Sequence, residues 1–276
     1  MSPTRRRFAE VVRAEPVDLG LACLLVGGEV TDDLDVDRSL ADLDALAALA
    51  RPLVPRGGGA AAAAEGLRLA LGERAGFAGS AEDYADVRSS LLHEVLRRRR
   101  GLPLLLSVVW LEVAARLDVP AHAVALPGHV VVGIGDPDDE QVLVNPFGGG
   151  RAIPRTELAE RMVAAGYPAL PPHLLAPMEA EDLLLRLLTN VRALSQRQGG
   201  TVQAAGTRLW AVELSLLLPR HPFELRRERG AVLVRLGRHL EGAEQLEAYA
   251  DALDEVDPPT ASAARREARA ARAQLN

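Results

Sequence analysis

The residues best suited to chemistry are His129 and Asn145. His129 follows Pro127-Gly128 at the head of the apolar run HVVVGI, and Asn145 closes the run QVLVN. Both runs read as β-strands, and GDPDDE (135–140) between them carries the turn residues of a hairpin. In such a pair the start of one strand lies beside the end of the other. An Asn side-chain carbonyl that accepts from an imidazole N–H fixes the tautomer and leaves the second ring nitrogen as a base. That is the latter half of a Cys-His-Asn or Cys-His-Asp arrangement. The missing half is a nucleophile at the N-terminus of a buried helix, where the helix dipole lowers a thiol pKa.

A helix of the right kind precedes the strands. Pro103 suits a first helical position, where no N–H is wasted. Residues 104–117 are apolar except for Ser107, Glu112 and Arg116, which predicts a central, buried helix. Asp118-Val119-Pro120 ends it. Ser107, one turn in, is the candidate hydroxyl; its alternative is a bond to its own helix backbone. Cys23, the one cysteine, lies in the apolar stretch 17–26 and is expected to be buried and inert. His93 and His122 have no assigned partners. No ligand spacing supports a metal site, and no cofactor is expected.

Other elements must hold these residues in place. Asp37 to Ala50 carries Leu40, Leu43, Leu46, Ala47 and Ala50 at helical spacing, and 60–71 reads as a second, Ala-rich helix. Gly72, Gly76 and Gly79 mark a loop. Ser80 and Asp83 form a capping box, and 89–100 is amphipathic, ending in Arg97–Arg100. Those four cations read as a solvated face at a helix C-terminus, or as an anion site. HAVALP (122–127) is a further strand. Residues 155–165 form a helix with Leu158, Met162 and Val163 inward, and Pro168, Pro171, Pro172 and Pro177 a stiff connector. From Glu179 onward the chain reads as helices over 183–196, 207–218, 224–237 and 238–253, with a solvated helix at the end.

Composition narrows the class. The 276 residues are 48% hydrophobic but only 3% aromatic, so the core is Leu, Val and Ala. Lys is absent and all 32 of the Lys+Arg residues are Arg; net charge is −6, which argues against a nucleic-acid partner. A single Cys excludes an internal disulfide framework. The start MSPTRRRFAEVV lacks the apolar region of a secretory leader, and no apolar run is long enough to span a membrane. The expectation is a cytoplasmic protein.

The core 80–150 resembles the transglutaminase-like superfamily, which shares the papain-like architecture. It resembles most the SirB-type bacterial branch, in which such a domain precedes tetratricopeptide-like repeats. The residues that carry this are SSLLHEVLRRRRGLPLLLSVVWLEVAARLDVP, PGHVVV and VNPFGGG. The resemblance implies an α+β fold. A helical N-terminal part (1–79) and a transglutaminase-like core with a small antiparallel sheet (80–167) come first. A Pro-rich connector (168–180) and tetratricopeptide-like helices (181–276) follow. In the last region Arg235-Leu236-Gly237-Arg238 matches the between-helix turn, and Ala243 and Ala250 the close-packed small positions; GGTVQAAG (199–206) is longer than the repeat's turn. His129 falls on the superfamily's catalytic His and Asn145 on its Asp. The nucleophilic Cys falls on Pro103 or Leu104, neither of which can attack, and the SirB-type branch commonly lacks that Cys. Pro103, Leu104, Gly128, Pro146 and Phe147 would line the cleft.

Two functions follow as expectations. One is a non-catalytic scaffold that binds a protein or peptide through residues 181–276. The other is a hydrolase or acyl-transferase acting on amides or esters, with His129 as base, Asn145 orienting it, and Ser107 or a water as nucleophile.

Overall fold

The structure, a computed structural model, describes residues 1–164, 166–167 and 172–274. The helices are α1 (Pro3–Val11), α2 (Leu19–Gly27), α3 (Val36–Ala50), α4 (Gly59–Leu67), α5 (Leu92–Arg98), α6 (Pro103–Arg116) and α7 (Arg155–Ala164). Then come α8 (Ala180–Arg197), α9 (Val202–Ser215), α10 (Leu225–Arg235), α11 (His239–Leu253) and α12 (Pro258–Ala273). Four strands lie between α6 and α7: β1 (Ala121–Leu126), β2 (His129–Gly135), β3 (Gln141–Asn145) and β4 (Arg151–Ala152). The chain forms two compact units, Ala14–Leu183 and a second made of Met1–Arg13 with Leu184–Asn276.

In the first unit the strands form an antiparallel meander in the order β1-β2-β3-β4. Leu126 pairs with His129 across the Pro127-Gly128 turn, and Val132 pairs with Val144. Gly128 supplies the positive φ of 69° that the turn requires. Strand alternation sends His122, Val124, Leu126, His129, Val131, Leu143 and Asn145 to one face. Val124, Leu126, Val131 and Leu143 there join Ile153, Leu158 and Met162 in one apolar cluster with α7. Val130, Val132 and Ile134 point the other way, and α6 packs on β1 and β2 from that side. Pro103 stands at the first position of α6, and every residue from Pro103 to Trp110 is buried, as a helix apolar all round must be. Val163 is a correction: it is 62% exposed, so α7 buries Leu158 and Met162 alone of the three residues expected inward.

Two further elements differ from the sequence reading. The helix expected over 60–71 changes at Arg68 into a π-helical turn, Arg68–Arg74, so Gly72 is helical rather than looped. Residues 80–90 are two short 3-10 turns; the Ser80–Asp83 capping box is present in the first. Of the Pro-rich connector, Pro168 and Pro171 lie outside the described residues, as do residues 275–276 of the C-terminal region.

In the second unit α10 and α11 are joined by a tight turn at Leu236–Arg238 and approach closely at Gly230 and Gly242. A Cβ on Gly230 would lie 3.1 Å from the Gly242 carbonyl oxygen. Ala243 and Ala250 are fully buried, and α11 packs on α12 through Leu246, Tyr249, Ala261, Ala264 and Ala268. α9 starts at Val202, five residues earlier than expected, because Thr201 caps it: its hydroxyl oxygen accepts from the Ala204 N–H at 3.1 Å. Trp210 and Leu214 are buried, as core.

Candidate functional site

The β2–β3 register sets Asn145 opposite Val131, on the face that carries His129 and one step along the diagonal. The side chains meet: His129 Nε2 and Asn145 Oδ1 are 2.8 Å apart. The amide oxygen can only accept, so Nε2 carries the proton and, in the neutral ring, Nδ1 holds the lone pair. Asn145 is buried at 8% exposure and His129 half-buried.

The loop after Asn145 is pinned from three sides. Phe147, half-buried, stands edge-on to His129, ring centroids 6.0 Å apart, and Tyr84 stands against Phe147 at 5.8 Å. The Gly79 N–H donates to the Phe147 carbonyl at 2.9 Å, and a Cβ on Gly79 would sit 2.0 Å from the Phe147 ring. On the second side, a Cβ on Gly72 would lie 2.0 Å from the Gly149 carbonyl oxygen. On the third, Gly150 lies against Trp110 of α6, and its N–H donates to the Asn145 carbonyl at 2.8 Å. Gly149 and Gly150 have φ of 73° and 83°, which lets the chain double back into β4.

The structure does not bring Ser107 to this pair. Ser107 is fully buried, and its hydroxyl donates to the Val130 carbonyl at 3.4 Å, on the α6 side of the sheet. The start of α6 is apolar: Leu102 caps it without a side-chain bond, Pro103 and Leu104 are buried, and Leu105 is fully buried. Gly128 is exposed in its turn and Pro146 buried beside Asn145. Cys23 is 1% exposed in α2; burial pushes its thiol far up, and the Glu112 and Asp18 carboxylates push the same way, so it stays protonated.

His122 and His93 sit elsewhere. His122 Nε2 reaches Gln141 Oε1 at 3.1 Å across Gly133, where a Cβ would collide with the ring at 2.5 Å. Burial pulls its pKa down, against the Gln141 bond. His93 Nε2 lies 3.2 Å from Thr31 Oγ1. Among the described residues no three His, Cys, Asp or Glu gather as metal ligands.

The Arg97–Arg100 run is internally paired. Arg97 bonds Glu94 at 2.7 Å, Arg98 pairs with Asp86 at 3.1 Å, and Arg99, at left-handed φ 59°, lies over the Phe77 ring at 4.8 Å. Arg100 donates to Asp83 Oδ1 at 3.0 Å and to Ser80 Oγ at 2.8 Å. Asp83, 1% exposed, also accepts from the Ser80 N–H and the Ser89 hydroxyl, both at 2.8 Å. The sequence identified Asp83 as a helix cap only; its second role, tying Arg100 to the loop that carries Tyr84, needs contacts 17 residues apart. Gly72, Gly79 and Tyr84 were missed as site-building residues, and the Gly72/Gly76/Gly79 spacing was their one signal.

The chain is similar to several known proteins. A UPF0162 protein of Xylella fastidiosa (strain 9a5c) is 34% identical over 179 residues, 63% of this chain and 61% of that protein. A UPF0162 protein of Pseudomonas aeruginosa is 28% identical over 212 residues, 76% of this chain and 77% of that one. The chain thus spans 61% of the length of the Xylella relatives. Among solved structures, a crystal structure of menin aligns at TM-score 0.43 and 15% identity, over 97% of this chain and 67% of that one. Among the described residues no helix is long and apolar enough to cross a membrane. The transglutaminase-like superfamily matches residues 37–189, more than half of the sequence, and the chain belongs to that superfamily.

Proposed function

We propose that this protein is a SirB-type, non-catalytic member of the superfamily: a cytoplasmic binding or regulatory scaffold. In this reading its tetratricopeptide-like helices, 181–276, recruit a protein or peptide partner. One observation carries the reading. The start of α6, where the resemblance puts the nucleophile, is sealed by buried Pro103, Leu104 and Leu105. The two nearest substitutes support it, since Ser107 is bonded to Val130 and the Cys23 thiol is buried and protonated. The partner is a protein rather than nucleic acid because the chain carries a net charge of −6.

A second reading has its own observation, the 2.8 Å His129–Asn145 bond. That bond presents an oriented base, and with water as nucleophile the protein would hydrolyse an amide or ester. One experiment separates the two. Native protein is treated with a fluorophosphonate, with iodoacetamide and with a panel of activated esters, alongside His129→Ala. The scaffold reading expects neither label nor turnover that depends on His129. His129-dependent turnover would replace it with the hydrolase.

A further inference from the structure

The Ala14–Leu183 unit holds a cavity of about 580 Å³ at the end of the sheet away from the His129–Asn145 pair. Its lining includes Ile134 and Gly135, the last residues of β2, whereas His129 is the first. Six steps of strand take His129 to Gly135, about 20 Å at ~3.3 Å per residue. The floor is apolar: Val54, Ala60, Ala63, Leu117, Val119 and Ile134. The wall over it depends on one glycine. Gly135 has φ 109°, and a Cβ there would lie 2.2 Å from the Glu140 carbonyl oxygen and 2.8 Å from Ala60 Cβ. The hairpin turn can close down on the start of α4 only because that position lacks a side chain.

The rim carries Arg51 and Arg56 against Asp118, Asp136, Asp139 and Glu140. Arg51 donates to the Arg116 carbonyl at 3.3 Å, and Asp136 accepts from the Asp138 N–H at 2.9 Å. Among the described residues no ion pair joins the two signs of charge across this rim, and four carboxylates outnumber two guanidiniums. The volume suits a small molecule, for which pockets span roughly 300–1,000 Å³ with an apolar body and a few polar anchors. We propose that this cavity is a binding site for a small organic cation, an ammonium group carried on an aliphatic body. The aliphatic part lies on the Val54/Ala63/Ile134 floor and the cation between Asp118 and the Asp139–Glu140 turn. The site is independent of the scaffold reading and of any chemistry at His129.

The probe is n-hexylammonium, titrated into the full chain by calorimetry and by amide shift mapping, with 1-hexanol and hexanoate as controls. Asp139 and Glu140 are exposed, so Asp139→Asn/Glu140→Gln leaves the fold intact. Saturable hexylammonium binding is expected, with shifts at 54–63, 117–120 and 134–140. Affinity should drop about threefold to tenfold in the double variant and fall with added salt. Hexanol and hexanoate should bind more weakly. The proposal fails if hexylammonium does not saturate, if it binds the double variant equally well, if a control binds as tightly, or if the shifts map elsewhere.

Discussion

Replacing Gly72 by Ala sets two effects of opposite sign against each other. The residue lies in the π-helical turn Arg68–Arg74. In an unobstructed helix Gly→Ala stabilises by about 0.5–1 kcal/mol, by relieving backbone entropy. Here the new Cβ would lie 2.0 Å from the Gly149 oxygen and 2.9 Å from its carbon. A relaxed carbon–oxygen contact is about 3.3 Å, so one backbone segment must retreat by about 1.3 Å. Neither side is a flexible side chain, and forced overpacking of this kind costs about 1–3 kcal/mol. Set against each other the two ranges leave a net loss of about 0–2.5 kcal/mol, and because both sides of the clash are backbone the loss falls in the upper part of that range. The loop that retreats also holds Asn145, through the Gly150 N–H at 2.8 Å. A shift of even ~1 Å takes the His129–Asn145 bond beyond hydrogen-bonding range. Urea denaturation reads the stability, and imidazole ¹⁵N shifts of His129 read the tautomer. Gly206→Ala is the control, because nothing lies within 4 Å of a Cβ there; it should stabilise. A Gly72→Ala protein as stable as wild type, with the His129 signals unchanged, would refute the argument that this turn positions Asn145.

Asn145→Leu keeps the volume but removes the acceptor of the 2.8 Å bond from the half-buried His129 ring; it should cost about 1–3 kcal/mol by urea denaturation and give a mixed His129 tautomer. An unmixed Nε2–H spectrum would mean that something other than Asn145 sets the ring. Asp83→Asn should cost about 2–3 kcal/mol at neutral pH, below the full price of a broken buried pair because Arg100 is 39% exposed. Burial pushes the Asp83 carboxyl up, but the bonds from Arg100, the Ser80 backbone and Ser89 together hold it below its usual value. Its contribution is therefore complete above about pH 4 and is lost as pH falls through the lower folded value. The gap between wild type and variant in urea should shrink on acidification, and a constant gap down to about pH 2 would contradict the assignment. Cys23 should resist iodoacetamide in native protein at mildly alkaline pH and react once urea unfolds the chain; rapid native labelling would show that α2 opens.

The parts of this structure that the sequence foretold are those governed by local chemistry. Pro103 opens α6 because only a first-turn position spares its missing N–H. Pro127-Gly128 and the 135–140 turn fix the two hairpins, and once their register is set His129 must meet Asn145. What was not legible depends on distant partners. The 60–71 pattern continues smoothly past Arg68, and the π-turn follows from Gly72 seating against Gly149, 77 residues on. Two-residue β4 is too short for any period to show. Arg98 and Arg100 read as solvent-facing because their acids, Asp86 and Asp83, come from a preceding turn rather than from helical neighbours. Likewise, nothing in PTRRRFAEV says that Arg5 will pair with Glu213.

The same contacts explain why His129 can stay oriented although Ser107 and Cys23 lie elsewhere. The loop that holds Asn145 is fixed by Gly72, by Gly79 under Phe147 and by Trp110 behind Gly150, all of them packing interactions of the core unit. Removing Asn145's acceptor would take the 2.8 Å bond from the half-buried His129 ring, so folding alone is enough to retain the pair. The 2.8 Å His–Asn bond is what the hydrolase reading rests on, but folding accounts for it equally well. The start of α6 carries more weight because no packing requirement forbids a small polar residue at a helix N-terminus, where unpaired N–H groups welcome one. A buried Leu102-Pro103-Leu104-Leu105 there forgoes that stabilisation in exchange for apolar burial of about 1.5–3 kcal/mol per side chain. That exchange makes the α6 terminus, rather than His129, the place where the scaffold and hydrolase readings part.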